Sequence, residues 1–324
     1  MRSPSEVRLQ LRDHHPAHEP FVEAALEGLR DSPKRVSPMY FYDALGSELF
    51  DRICELKEYY PTRTELRILE QHGNDLARCI GDDALLVEFG SGSSMKTRLL
   101  LDRLPSLAAY VPVDISRSHL LNAAHSISAS YPNLEVMPVC ADFTRPFLLP
   151  APRRAASRIV VFFPGSTIGN FDPPAALDLL RVMRQVAGPM GGLVVGTDLV
   201  KDVDVLIRAY DDSEGVTAAF NLNVLRRFNS EMGANFDLDQ FRHRAVWNAR
   251  AKRIEMHLVS QRPQTVVLAG ETLEFEADEA IVTEHCHKYT VPGFATLAAR
   301  AGWKAQAHWL DDRGYFSVNY LEAG

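Results

Sequence analysis

Between residues 84 and 200, short apolar runs alternate with segments of helical period. The runs are "ALLVEF" (84–89), "AAYVPVD" (108–114), "LEVMPV" (134–139), "RIVVFF" (158–163) and "GGLVVGTDL" (191–199), with "MKTRLLLDRL" and "AALDLLRVMRQV" among the helical stretches between them. Runs that are apolar at nearly every position suit strands buried on both faces, and the intervening helices supply the covering layers. The pattern therefore predicts an α/β fold with a doubly wound parallel sheet. Upstream, a polar stretch rich in His and Pro over 1–20 reads as a loose arm before the helical pattern "FVEAALEGLRD". Residues 200–249 read as helical, and strand-like pieces at 252–260, 264–268 and 281–288 follow, so the alternation is interrupted there. A helix over 292–302 precedes "WKAQAHWL" and "YFSVNYLEA", which are parted by the turn residues Asp311, Asp312, Arg313 and Gly314. These two runs predict an antiparallel pair at the end of the sheet.

Composition narrows the classes of function. The chain has 324 residues, 46% of them hydrophobic, enough for one large domain or two ordinary ones. The 35 Lys and Arg against 42 Asp and Glu leave a net charge of −7, which argues against broad phosphate-backbone contacts and so against a nucleic-acid partner. No apolar run resembles a signal-peptide core or a membrane span, so a cytoplasmic protein is expected. Cys54, Cys79, Cys140 and Cys286 have no CxxC spacing and read as reduced thiols.

The candidate chemistry collects at the carboxyl ends of the predicted strands. "VEFGSGSSMKT" (87–97) has an acid before G-x-G and opens a helix, but it matches neither GxGxxG nor GxxxxGK[ST]. An S-adenosylmethionine site and a plain tight turn both remain open on this loop alone. Asp114 ends the second run about twenty residues on, where an acid can bind a ribose diol, and Asp142 ends the third in "CADF". Gly90, Gly92, Asp114 and Asp142 could thus line one groove, and the alternative is that each Asp caps the helix after it. The fourth run enters "FFPGSTIGNF" (162–171), where carbonyls and Asn170 would suit a substrate amine; a glycine-rich turn with Asn170 left-handed is the other reading. Tyr40, Tyr42, Tyr59 and Tyr60 are concentrated in 40–65, either to hold a small polar ligand or to pack one lobe on another.

"TEHCHKYT" (283–290) places Glu284, His285, Cys286 and His287 in succession, all possible metal ligands. On a strand, Glu284 and Cys286 share one face and the two histidines the other, and no CxxC or HExxH elsewhere completes a set, so no metal is expected.

In their order along the chain, "FYDALGSELFDRI", "EYYPTRTE", "VEFGSGSSMKTRLLLD", "FFPGSTIGNF", "RAYDD", "FNLNVLRRFN" and "TEHCHKYT" resemble the S-adenosylmethionine-dependent histidine Nα-methyltransferases that make hercynine for ergothioneine. The resemblance runs from about residue 38 to the C-terminus. It implies a Rossmann-like class I methyltransferase sheet, parallel with an antiparallel C-terminal strand pair, over 61–199 and 288–324. A substrate-binding lobe is implied over 15–60 and 200–287. Carried over by position, Gly90, Ser91, Gly92 and Lys96 would hold the cofactor, with Asp114 at the ribose and Asp142 and Phe143 at the adenine. Gly165 and Asn170 would receive the α-amine, and Tyr42, Tyr59 and Tyr210 would line the amino-acid pocket and its carboxylate. Met256 and Glu284 would border and bond the imidazole ring, and Tyr42 or a water it holds would assist proton loss. Where the family usually has serine, this chain has Cys286, a weaker donor. The implied partners are L-histidine and its mono- and dimethylated forms, with no metal, nucleic acid or membrane, and the enzyme is expected as a monomer. Methylation of another amino acid, an idle binding protein of the same fold, and a metal-dependent hydrolase using 284–287 are the competing readings.

Overall fold

The computed structural model of the chain describes residues 9–14, 21–92 and 94–324. Along the chain come β1 (Arg12–Asp13), α1 (Phe21–Arg30), β2 (Lys34–Arg35), α2 (Ala44–Glu55), α3 (Tyr60–Ile80), β3 (Ala84–Phe89) and α4 (Met95–Leu101). Next are β4 (Ala109–Asp114), α5 (Arg117–Ser130), β5 (Val139–Cys140), β6 (Arg158–Phe163), α6 (Pro173–Ala187) and β7 (Gly192–Asp198). The rest comprises α7 (Val203–Tyr210), α8 (Val216–Met232), β8 (Phe241–Asn248), β9 (Arg253–Ser260), β10 (Gln264–Leu268), β11 (Glu271–Phe275), β12 (Ala280–His287), α9 (Val291–Arg300), β13 (Trp303–Leu310) and β14 (Phe316–Ala323).

Eight strands form one sheet in the order β1-β5-β4-β3-β6-β7-β14-β13. The pairs from β1 to β7 are parallel, whereas β14 runs antiparallel to β7 and β13 antiparallel to β14. Alternate residues of one strand enter different cores: Leu85, Val87 and Phe89 pack on one face of the sheet and Leu86 on the other. Burial on both faces is the physical reason that β3 is apolar at almost every position. The strand order reverses between β3 and β6, and ligands of open α/β sheets bind outside the carboxyl ends at such a point.

A second sheet, in the order β2-β12-β9-β8, and the β10–β11 hairpin share a separate core with α1, α2, α7 and α8. The chain passes between the two sheets four times, after β1, β2, β7 and β12. The last two crossings touch, since the Tyr289 N–H donates to the Asp198 carbonyl (2.9 Å) and the Val200 N–H to the Tyr289 carbonyl (2.9 Å). Among the described residues, no helix is long and apolar enough to cross a membrane.

Four expectations need correction or limitation. Residues 1–8 and 15–20 of the expected arm lie outside the described residues; its described part is tied down, with β1 pairing with β5 and Arg12 and His14 bonding the carbonyls of Leu149 and Leu148. The predicted strand over 134–139 shrinks to Val139–Cys140, because Pro138 has no N–H for a ladder and only a single bridge, Tyr110 to Val136, precedes it. Residues 241–248, read as helical, form β8: Phe241 and Ala245 are buried while Arg242 and Arg244 are not, a period of two rather than 3.6. The strand Glu271–Phe275 was also not foreseen; Ala269 and Gly270, at φ 51° and 85°, make the tight turn that folds it onto β10.

Candidate active site

The glycine loop leaves β3 with Gly90 at φ 78° and Gly92 at φ 36°, so its turn needs backbone angles that only glycine adopts readily. The Gly90 N–H donates to the Val113 carbonyl (2.8 Å), and a Cβ on Gly90 would approach the Phe143 ring (3.9 Å), which brings the loop against β4 and the turn after β5. Ser91 is buried and its Oγ has no partner among the described residues, a polar atom in the loop that a polar ligand would satisfy. Asp114, at the end of β4, is pushed up by burial despite bonds from the Ser116, Ser91 and Ile115 backbone. Asp142 accepts from the Thr144 N–H (2.9 Å) and hydroxyl (2.6 Å), so both acids make the local turn bonds of the capping alternative while standing at one sheet edge. Phe143 packs on Phe89 and Phe163. The acid of the loop motif, Glu88, serves elsewhere: it is buried, accepts from Thr97 (2.8 Å) and Tyr110, and pins α4 to the sheet, with burial raising its pKa to about 7.

Lys96, from α4, meets Glu65 Oε2 at 2.7 Å. Glu65 is 1% exposed and also accepts the Gly165 N–H (2.8 Å), so one carboxylate joins the glycine loop's helix to the turn after β6. That turn puts Ser166, not Asn170, in the left-handed region at φ 58°, and Asn170 ends a short 3-10 turn over Thr167–Asn170. The left-handed alternative for Asn170 is thereby corrected. The Asn170 side-chain amide donates to Glu284 Oε1 (3.1 Å), and the Cys286 thiol donates to Glu284 Oε2 (3.3 Å). Glu284 is 7% exposed, and burial raises its pKa to about 7 against the opposing Cys286 bond and Lys288 charge. Met256 lies directly opposite Glu284 in the β9–β12 register, hence on the same face.

The tyrosines close this space. Tyr59 and Tyr210 meet edge to face (6.0 Å), and Tyr42 packs on Phe50 and Phe220. The Tyr42 pKa is raised well above its ordinary value by burial and then by the charges of Glu284, Cys286, Cys54 and Asp114. Yet 45% of the residue is accessible. The two facts agree if Tyr42 walls an open cleft, its hydroxyl crowded by protein between the amino-acid side and the cofactor edge. Two surface hollows, one beside Phe294 and Ala307 and one between Pro173 and Arg300, lie away from these residues.

The histidines of β12 behave differently from expectation. They do face away from Glu284, but Asp172 joins them: its Oδ1 lies 3.1 Å from His285 Nδ1 and 3.0 Å from His287 Nε2. Asp172, from the turn before α6 and far away in sequence, thus joins His285 and His287 in a three-residue group that no CxxC or HExxH spacing signals. Arg253 Nη1 lies 2.8 Å from the same oxygen. Burial pushes Asp172 up, and the His287 and His285 bonds with the Arg253 charge outweigh it, leaving the carboxyl below its ordinary range. The guanidinium already supplies the positive charge that a cation would bring.

A profile described as a SAM-dependent, histidine-specific methyltransferase matches residues 21–323. The chain belongs to that family. A histidine N-alpha-methyltransferase of Mycolicibacterium smegmatis is 43% identical over 297 residues, 90% of this chain and 91% of that one. Its namesake in Mycobacterium tuberculosis has the same identity and coverage. More distantly, the 4-dimethylallyltryptophan N-methyltransferase of Aspergillus fumigatus is 28% identical over 89% of each chain. Within this histidine-specific methyltransferase, reasoning from sequence missed Glu65, Asp198, Lys201 and Lys288. Asp198 carried a usable signal, since it ends a parallel strand just as Asp114 does. Glu65 and Lys288 stand inside "EYYPTRTE" and "TEHCHKYT", but only the fold reveals what they touch.

Proposed function

We propose that the protein transfers methyl groups from S-adenosylmethionine to the α-amine of L-histidine, three times in succession, to give hercynine for ergothioneine synthesis. The observation that carries the choice of amino acid is Glu284, a buried carboxylate opposite Met256 that can accept an imidazole N–H. A tryptophan-like side chain also carries one ring N–H donor, but an indole takes up no proton, so a buried carboxylate gains less from it than from an imidazole. This favours histidine over the substrate named for the Aspergillus relative.

The cofactor supplies a methyl group already activated by its sulfonium. Gly90, Ser91, Gly92 and Lys96 would hold it, with Asp114 on the ribose and Asp142 and Phe143 at the adenine. The unsatisfied Ser91 hydroxyl and the positive-φ glycines support that fit. Gly165 and Asn170 would take the α-amine, Tyr42, Tyr59 and Tyr210 the backbone of the amino acid, and Cys286 would border its ring. The protein's task is alignment and desolvation of a neutral amine lone pair. A phenol raised as far as Tyr42 stays protonated, so it assists as a hydrogen-bonding partner of the amine or of a water, not as a phenolate base. We assign amino-acid binding to the unit over 15–60 and 200–287, and read the enzyme as a metal-independent cytoplasmic monomer acting on small molecules alone.

Incubation with S-adenosylmethionine and each proteinogenic amino acid, with and without a chelator, followed by mass spectrometry, tests the proposal. Trimethylated histidine formed equally in both arms is expected. No product from histidine refutes the activity, and loss of product with chelator refutes metal independence.

A further inference from the structure

Asp172 holds the N-cap position of α6, yet its side chain makes no cap bond there. An aspartate in that place ordinarily accepts from the first turn of its own helix. Here it turns to the smaller sheet instead, and its Oδ1 receives His285 Nδ1 (3.1 Å), His287 Nε2 (3.0 Å) and Arg253 Nη1 (2.8 Å). An ionised carboxylate can only accept, so both imidazoles present an N–H to it. Two residues earlier, Asn170 donates to Glu284 (3.1 Å), which points to the opposite face of the same strand. Residues 170–172 therefore grip β12 from both faces, while Phe171 between them packs on the core of the larger sheet. The edge of β12 is open to them because β2 pairs with it only at Ile281 and Val282. Farther along, the turn Thr167–Asn170 packs on β12 so closely that a Cβ on Gly169 would lie 2.7 Å from the His287 carbonyl oxygen.

We infer that Asp172 is a positioning residue for the methyl acceptor: by fixing the Asn170 turn on β12, it sets the separation between the group that takes the α-amine and the group that takes the ring. This rests on the reading of Asn170 and Glu284 as those two contacts. Asn170 belongs to the turn after β6 and Glu284 to the smaller sheet, so their spacing is decided by how the turn docks on the strand. A single side-chain bond from Asn170 would leave the turn free to pivot about it, and the second attachment, on the other face, removes that freedom. With its NH2 donating to Glu284, Asn170 has its oxygen left to accept an amine N–H. The donors to Asp172 are themselves held in place. Arg253 stands directly opposite His287 in the β9–β12 register and bonds Glu255 through Nε (2.8 Å), and Glu255 also accepts from Asn248 (2.9 Å). Methyl transfer needs the amine lone pair in line with the sulfonium while the ring stays anchored, which makes this spacing a matter of rate as well as of affinity.

Asp172→Ala removes the bonds to β12 and β9 without removing a cap bond. Calorimetry on the S-adenosylhomocysteine complex compares histidine with imidazolepropionate, which keeps the ring and the carboxylate and lacks the α-amine. The variant should bind histidine about tenfold more weakly, the value of one displaced hydrogen bond, and should bind imidazolepropionate and S-adenosylhomocysteine as before. His287→Leu should show a smaller loss of the same kind, and His287→Gln, which restores an N–H donor, should recover most of it. Unchanged histidine affinity in Asp172→Ala, equal losses for histidine and imidazolepropionate, or a His287→Gln no better than His287→Leu would overturn the inference. If Asp172→Ala does not fold, the two His287 variants decide by the same criteria. Asn170→Ala, measured in parallel, separates the two levels. Intact histidine affinity in that variant defeats the reading of the amine site itself, whereas a selective loss there beside a wild-type Asp172→Ala defeats only the role of Asp172.

Discussion

Glu284→Gln keeps the shape of the side chain and removes its charge, and the structure allows the cost to be worked out. The carboxylate is 7% exposed, so solvent does not screen a bond from the imidazole N–H. A net bond to a charged group contributes about 1.5–3 kcal/mol, or about 10- to 150-fold in affinity. Two donors already aim at this position, the Asn170 amide at 3.1 Å and the Cys286 thiol at 3.3 Å. A glutamine can accept on one side only, and its own NH2 then faces a donor on the other, so the loss belongs near the upper end, about 100-fold. The pH dependence follows from the raised pKa of about 7. The acceptor form is present above that value and is lost as pH falls through it, so wild-type histidine affinity should drop below about pH 7 while the variant lacks this step. The sign for stability is opposite. An acid raised by folding contributes stability that is present below its unfolded pKa and lost as pH rises through the folded one, so at pH 8 the variant should be at least as stable as wild type. Titration of histidine into the S-adenosylhomocysteine complex between pH 6 and 9, with thermal melts alongside, is the assay. A loss below about threefold, or the same acid limb in the variant, would refute the reasoning.

Two further outcomes follow from the same geometry. Cys286→Ser replaces a weak donor by a stronger one against Glu284 and should tighten histidine by a few fold, lowering the pH of the acid limb; a limb that moves up instead would show that the thiol is not a donor there. Glu65→Gln breaks the contact with Lys96 and weakens the hold on Gly165, so it should lower stability by about 2 kcal/mol, below the range for fully buried pairs because Lys96 keeps some solvent access, and should weaken S-adenosylmethionine binding; unchanged cofactor affinity would count against the link between the loops.

The alternation of nearly apolar runs with helical period determined the parallel sheet, because burial on both faces leaves a strand such as β3 with a single polar residue, Glu88, which has its own buried partners. The turn at Asp311 to Gly314 likewise determined the antiparallel end, since strand pairing through a short turn is local. Period alone misjudged 241–248, where arginines on the exposed face diluted an alternation of two. The site was legible where chemistry lies at strand ends and in ordered motifs: Glu284 and Cys286 do share a face, as the pleat requires. Other relations needed the tertiary fold. Glu65 reaches Gly165 across 100 residues, Asp172 reaches His287 across 115, and Tyr210 receives Lys288 across 78. A strand's pleat or a helix's pitch fixes which neighbours share a face, so sequence can report it. Which distant side chain fills the remaining lone pair of a buried acid depends on how two sheets pack at their crossings, and spacing along the chain carries no record of that.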